Sequence, residues 1–424
     1  MTTKQEVKKI IVIGGGFAGL QFIKLLGNHN EYQIILVDTN NYNFFPPLIY
    51  QVATGFMEPS TISYPFRKIL RTYTNVHFRM GILEKVVPEE NKIILNNGVL
   101  QYDILVMATG TISNFFGNKN IEAKSLPMKT IGDALLLRNS FLARLEHASR
   151  KENEEERKKY LTFVIAGAGP TGVELSGVLA EMKSSVLLKD YPELKSKDAV
   201  DIYLIDGQDA VLAVMSEKAQ KYATRKLTDL GVKILLKTLV NDYDGETVFL
   251  SDGTQIASKN FVWAAGVAAS VFEGFSKESI GDGKRLITNQ FSQVHSYENI
   301  YALGDCSIIT DDKNYPKGHP QLAQVAIQQA ANLAKNLKRK KENWTPFQYN
   351  DSGALAIIGR NKAVFDFSKQ KYFMFGFTAW LIWAFVHILG LVNFRNRFKA
   401  LYNWLGSYIS KDQFFRMIIK PTDK

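Results

Sequence analysis

One local pattern, present twice, limits the fold more than any other feature of these 424 residues. In "KKIIVIGGGFAGLQFIKLL" a buried strand runs into a glycine turn and then a helix, with Gly14, Gly16 and Gly19 spaced as G-x-G-x-x-G. The first glycine makes the tight turn, the second lets a pyrophosphate approach the backbone, and the third lets helix and strand pack closely. The phosphate then meets free N–H groups at the positive end of the helix. The next strand, "YQIILVD", ends in Asp38, whose carboxylate is placed to accept from a ribose hydroxyl. A glycine pattern alone is a weak signal; a strand before, a helix after and an acid at the next strand end make it specific.

The pattern recurs in "LTFVIAGAGPTGVEL", with Gly167, Gly169 and Gly172, and "VDIYLID" ends in Asp206. The longer spacing to this acid lies in the charged stretch "KSSVLLKDYPELKSKDA", read as extra helix and a surface loop. Each half also carries a hairpin turn, Asn97-Gly98 or Asp252-Gly253, of the kind that supplies positive φ. A strand ending Ala108-Thr109-Gly110 or Ala264-Ala265-Gly266 follows. Four matched landmarks in the same order argue against chance. The expected fold class is α/β, with two Rossmann-like domains each bearing a small antiparallel meander. Two dinucleotide sites in one chain suggest electron transfer between a flavin and a nicotinamide.

Composition narrows the setting. The net charge of +11 suits nucleic acid or an anionic membrane surface. No zinc-ligand spacing and no base-reading helix supports nucleic acid, so the membrane is the expected partner. No metal or catalytic-triad pattern appears, and His29, His77, His147, His295 and His319 are scattered. The start, "MTTKQEVKKIIVIGGG", enters a strand without a separate hydrophobic region, so no signal peptide is expected. The single cysteine, Cys306, rules out an intrachain disulfide and reads as a small buried residue. The run "RKENEEERKKY" between the halves reads as a linker or solvated helix.

The tail is the outlier. "FMFGFTAWLIWAFVHILGLV", Phe373 to Val392, is twenty nearly unbroken apolar residues, with His387 the one group that titrates near neutrality. That length suffices to span a bilayer. Beyond it, Leu401, Trp404, Leu405, Tyr408 and Ile409 repeat at helical spacing behind Arg395, Arg397 and Lys399, which reads as a helix lying in the interface. Lysines at 362, 369 and 371 precede the run, so charge asymmetry gives no topology.

At this point the chain resembles the two-dinucleotide-binding-domain flavoproteins, and within them the type II NADH:quinone oxidoreductases, the single-subunit, non-pumping NADH dehydrogenases. "NFFPPLIYQVATGFMEPS", "ENIYALGDC" and "QLAQVAIQQA" carry the resemblance, the last matching A-Q-x-A-x-Q-Q at Ala323, Gln324, Ala326, Gln328 and Gln329. It covers essentially the whole chain. It implies FAD, held non-covalently, at Gly14, Gly16, Phe17, Ala18, Asp38, Ala108, Thr109, Gly110, Gly304 and Asp305. It implies NADH at Gly167, Gly169, Pro170, Thr171, Gly172, Asp206, Ala265 and Gly266. Spacing alone does not assign the two loops. Asp305 has a bland alternative as a helix N-cap. Disulfide reductases and sulfide-oxidising members need cysteines before Cys306, and none is present.

The resemblance also implies roles in the reaction. Glu174, otherwise explained by the helix dipole, is expected near nicotinamide and flavin, in proton delivery to quinone. Gln324 and Gln328 share a helix face and are expected, with Ala323, to meet the quinone; an alanine-rich helix with polar residues facing water is the alternative. His387 is a further candidate at the quinone entrance, or equally a headgroup-level residue. The expected domains are 1–120 with 289–345 for FAD, a connecting helical segment 121–160, 161–288 for NADH, and a membrane-anchoring region 346–424. The expected protein is a homodimer bound peripherally to the cytoplasmic face of the plasma membrane, passing two electrons from NADH to ubiquinone or menaquinone. The tail is read as surface-anchored, with a spanning helix as rival and a buried dimer or core helix as the soluble alternative. The rival functions are a soluble NAD(P)H-dependent reductase of a small carrier protein and a non-enzymatic NAD(H)-responsive flavoprotein.

Overall fold

The computed structural model describes residues 7–183, 187–194, 200–367, 372–410 and 416–419. Lys369, Lys371 and part of the charged stretch after Met182 lie outside them. Contacts divide the chain into two units, Met1–Phe44, Tyr64–Ile112 and Val267–Asn350 in the first, and Phe45–Ser63, Ser113–Gly266 and Asp351–Lys424 in the second.

In the first unit a five-stranded parallel sheet has the order Ile300–Ala302, Ile104–Met107, Lys8–Ile13, Tyr32–Asp38, Val76–Met80. The strands are short runs of Ile, Leu and Val because both faces are covered; Ile10, Ile11 and Val12 are fully buried. The helices Phe17–Leu26 and Ala323–Leu337 pack against each other. The meander Leu83–Val87, Lys92–Leu95, Gly98–Gln101 joins the core through Leu83, Val86 and Ile93, which pack with Ile11, Leu105 and Met107.

The second unit repeats the plan in the order Leu126–Pro127, Asn260–Trp263, Thr162–Ala166, Asp201–Ile205, Val232–Leu235. Its meander, Val240–Tyr243, Thr247–Leu250, Gln255–Ala257, packs Val248, Leu250 and Ile256 on Val164, Phe261 and Trp263. In both hairpin turns the glycine carries the positive φ, +127° at Gly98 and +87° at Gly253. The charged run forms the helix Glu154–Leu161, N-capped by the Asn153 side chain.

By contacts, the return to the first unit falls at Val267, where 289 was expected, and Phe45–Ser63, the connecting segment and the tail from Asp351 all group with the second unit. The tail's hairpin, Ala354–Gly359 with Lys362–Phe367, lies on the helix Pro170–Met182. Gly177 permits this approach: a Cβ there would sit 1.8 Å from the Ile358 carbonyl oxygen.

The twenty-residue apolar run is not one helix. Phe373–Phe375 belong to the strand Tyr372–Phe375, and the helix Gly376–Gly390 is 15 residues long. At 1.5 Å per residue it reaches about 22 Å, short of the roughly 30 Å hydrocarbon core. No helix among the described residues is long and apolar enough to cross a membrane. A second helix, Phe394–Ser410, follows. Its outward face carries Phe394, Phe398, Tyr402, Leu405 and Ile409, all more than half exposed. Trp404, expected on that face, turns inward.

Candidate functional site

In open α/β sheets, ligands bind outside the carboxyl ends of the strands where the strand order reverses. In the first unit that point lies between Lys8–Ile13 and Ile104–Met107. Gly14 has φ +99°, and a Cβ there would lie 2.3 Å from the Ala108 carbonyl oxygen; at Gly19 it would lie 1.9 Å from that of Gly14. At Gly16 it would meet nothing within 4 Å. Two glycines therefore serve the turn and the helix, and the middle one leaves the backbone open, as pyrophosphate binding requires. Asp38 spans the loop: its Oδ2 accepts from Gly15 N at 2.7 Å and its Oδ1 from Asn40 N at 2.8 Å. Burial nonetheless raises its pKa.

The second unit reproduces this geometry between Thr162–Ala166 and Asn260–Trp263. Gly167, with φ +105°, would place a Cβ 2.4 Å from the Ala264 carbonyl oxygen; Gly172 would place one 1.8 Å from that of Gly167, and Gly169 meets nothing within 4 Å. Asp206 accepts from Ala168 N at 2.5 Å and Gln208 N at 2.8 Å. Pro170 opens the helix at its first position, where no N–H is needed, and Thr171 follows it in the first turn.

Gly304, with φ +71°, begins a short turn that includes Asp305. Its N–H donates to Gln329 Oε1 at 2.7 Å, and Gln329 is 2% exposed. Gln321 Nε2 donates to the Asp305 carbonyl at 3.0 Å. Gln329 had no assigned role on sequence grounds. The signal was the adjacent pair Gln328-Gln329: neighbours on a helix point about 100° apart, so one faces the core when the other does not. Gln328 has its amide committed to Asn350, accepting from its N–H and donating to its C=O, both at 2.9 Å. Ala323 and Gln324, half-buried, stand in the first turn of that helix.

Glu174 lies in the second turn of its helix, 7% exposed. Burial raises its pKa well above the ordinary glutamate value, against a long bond from Ile357 N at 3.5 Å. Burial thus favours the protonated carboxyl over the carboxylate. The buried phenol of Tyr50 is likewise pushed up by burial, then by the Glu174 charge. Tyr50 OH accepts from Gln51 Nε2 at 3.0 Å, and Gln51 Oε1 accepts from Trp404 Nε1 at 2.7 Å. Trp404 packs on fully buried Trp383 at 5.3 Å, and Trp383 stacks on His387 at 4.3 Å. His387 Nδ1 bonds the Trp383 carbonyl at 2.7 Å, while burial pushes the imidazole down to about 4. Phe45 meets it edge-on at 6.0 Å. Sequence reasoning gave Tyr50, Gln51 and Trp383 no role and placed Trp404 on the outward apolar face, because a polar residue in a short helix carries no periodic signal. Of the basic residues ahead of the last helix face, Arg397 is engaged with the Leu391 and Leu389 carbonyls at 3.1 and 2.9 Å.

Comparison with known proteins agrees with this geometry. Residues 8–330 match the pyridine nucleotide-disulphide oxidoreductase family, and residues 352–411 match the NDH2 C-terminal domain. The type II NADH:quinone oxidoreductase Ndh of Mycobacterium tuberculosis is 34% identical over 423 residues, covering 95% of this chain and 88% of that protein. The mitochondrial internal alternative NAD(P)H-ubiquinone oxidoreductase A1 of Arabidopsis thaliana is 27% identical, covering 96% and 85%. Among solved structures, NDH2 from Plasmodium falciparum in complex with NADH superposes with a TM-score of 0.88 at 22% identity, over 97% of this chain and all of that one, a likeness of fold. The open second glycine and bridging acid of each unit fit a dinucleotide, such as the FAD and NADH of this family. The chain belongs to the pyridine nucleotide-disulphide oxidoreductase family and, within it, to the type II NADH:quinone oxidoreductases.

Proposed function

We propose that this chain binds peripherally to the cytoplasmic face of a membrane as a homodimer and passes two electrons from NADH to a lipid-dissolved quinone, without proton pumping. The observation that carries the membrane half of this reading is the outward apolar face of the tail, which continues through Phe377 and Phe385 of the first tail helix. Exposed apolar surface of this extent marks an interaction site, and two short helices rich in aromatics suit the headgroup boundary. A soluble reductase of a carrier protein has no use for it.

FAD, when bound, accepts a hydride equivalent and returns two electrons. The chain's own residues bind, orient and handle protons. Asp38 and Asp206 fix the two glycine loops and stand at the ribose positions. The Gly304 turn, braced by Gln329, presents Asp305 to the FAD chain. Gln324 offers a side-chain amide to a quinone carbonyl, and Ala323 keeps the approach open. Gln328 supports that helix through Asn350. Glu174 holds a proton in a dry setting, as a group must that delivers one to a reduced quinone. His387 lies among aromatic rings, neutral, at the quinone's apolar approach.

The test is steady-state NADH oxidation by vesicle-bound protein with a short-chain quinone and no other acceptor. Quinone-dependent NADH loss with matching quinol is expected. Oxidation that proceeds only with a carrier protein would overturn the reading.

A further inference from the structure

The two nucleotide crevices differ at one matched position. Gly110 ends the strand motif of the first, with φ +64°, and a Cβ there would meet nothing within 4 Å. Gly266 ends the same motif in the second, and a Cβ there would lie 2.7 Å from Phe116 Cζ. Gly266 does not have positive φ. Its missing side chain is explained by the ring above it.

Phe116 is unusual in two further ways. Its φ is +50°, in the left-handed region that bulky side chains avoid. It is also 68% exposed, so core packing does not account for the ring's position. The surrounding bonds impose the conformation. Asn114 N donates to the Gly266 carbonyl at 3.0 Å, Trp263 Nε1 donates to the Asn114 carbonyl at 2.9 Å, and Phe116 N donates to Asn114 Oδ1 at 3.0 Å. The ring meets Trp263 edge-on at 6.3 Å, with much of its surface facing solvent. Strain held by a bond network, and an aromatic ring laid over the strand end where a dinucleotide crosses, together point to a ligand contact.

We propose that Phe116 is the aromatic contact of the NADH site: its ring swings off Gly266 and packs on the nicotinamide half of the dinucleotide, setting affinity rather than the rate of hydride transfer. The two crevices suit different tasks, one retaining its cofactor and the other exchanging its nucleotide every turnover, and of the two strand-end glycines only Gly266 lies under an aromatic ring. The inference rests on the reading that the second unit holds NADH.

Anaerobic stopped-flow reduction of the flavin, followed against NADH concentration, gives the dissociation constant and the limiting rate separately. Phe116→Asn removes the ring but keeps a residue that tolerates the left-handed backbone. Its dissociation constant should rise roughly three- to tenfold, the range of one aromatic contact, with the limiting rate within about twofold. Phe116→Tyr should restore the affinity, and Phe116→Gly, which relieves the backbone, should show the same loss as Asn. The change in Trp263 emission on adding NAD⁺, identified by its loss in Trp263→Phe, should be diminished in Phe116→Asn. Unchanged or tighter binding in Phe116→Asn and Phe116→Gly overturns the proposal, as does a slower limiting rate at unchanged affinity. Asp206→Ala separates the two claims: if it weakens NADH and Phe116→Asn does not, only the ring's role fails. If neither weakens NADH, the assignment of this unit to NADH fails.

Discussion

Trp404 Nε1 donates to Gln51 Oε1 at 2.7 Å, which ties the last helix of the tail to the short helix Ile49–Ala53 of the same unit. A buried amide thus holds the helix whose other face is apolar and exposed. Gln51→Leu would leave the indole N–H unpaired, a loss of about 1–3 kcal/mol. Thermal unfolding in detergent should begin at lower temperature, and the KM for a long-chain quinone should rise more than that for NADH. A variant with unchanged melting and quinone KM would show that this bond does not hold the tail.

Glu174 gives a pH signature. Its carboxyl is raised in the folded chain, so folded protein binds the proton more tightly than unfolded chain does. The stability this group contributes is then fully present below the ordinary glutamate range and is lost as pH rises from there through the folded pKa, at up to about 1.4 kcal/mol per pH unit. Glu174→Gln, neutral throughout, should melt with a flatter pH dependence and be at least as stable at pH 8. It should retain flavin reduction by NADH and lose most quinone turnover. Identical pH–melting curves would contradict a raised Glu174 pKa.

The glutamines divide by half-reaction. Gln324→Ala should slow flavin reoxidation by quinone by up to about tenfold, the loss of one or two hydrogen bonds, with flavin reduction by NADH unchanged. Gln328→Ala should act chiefly on stability, since its amide bonds Asn350 at both ends. Gln329→Ala orphans the Gly304 N–H and should lower FAD content on purification. Stopped-flow traces and flavin-to-protein ratios decide each; a Gln324→Ala defect confined to the NADH step would contradict its assignment.

Asp206 predicts NADH over NADPH, because a 2′-phosphate would face a carboxylate, and no Arg or Lys follows until Lys218. Asp206→Ala should narrow the preference in kcat/KM. Comparable values for both nucleotides in the unmodified protein would refute it.

The proposed membrane attachment of the tail rests on apolar contacts. Replacing Phe385, Phe398 and Leu405 together by Gln, all exposed and outside the core, should release the protein from vesicles with both nucleotide folds intact. Arg397 spends its guanidinium on the end of the preceding helix, so high salt alone should weaken attachment without abolishing it. Co-sedimentation after each treatment is the measurement; full release by salt would contradict apolar anchoring.

The nucleotide folds were legible because their determinants are local. A strand, Gly14 or Gly167, and an acid at the next strand end lie within one supersecondary unit, and each acid reaches back to its own loop. The tail was legible as apolar but not as broken, since hydropathy does not register that Phe373–Phe375 pair as a strand. Gln328 and Gln329 show the limit at the site. Residue type and spacing nominated the helix face, but which amide braces Gly304 depends on contacts 22 and 25 residues distant in sequence. Phe116 was invisible for the same reason, because its partner Gly266 lies in another segment of the chain.

Electron transfer from NADH to a lipid-dissolved quinone by one chain is tested most directly by the flavin absorbance of vesicle-bound protein under anaerobic conditions. NADH should bleach the flavin band, and a long-chain quinone in the same vesicles should restore it in proportion to quinone added. A flavin that bleaches with NADH but stays reduced when quinone is supplied, and reoxidises only with a soluble carrier protein, would rule out quinone as the electron acceptor.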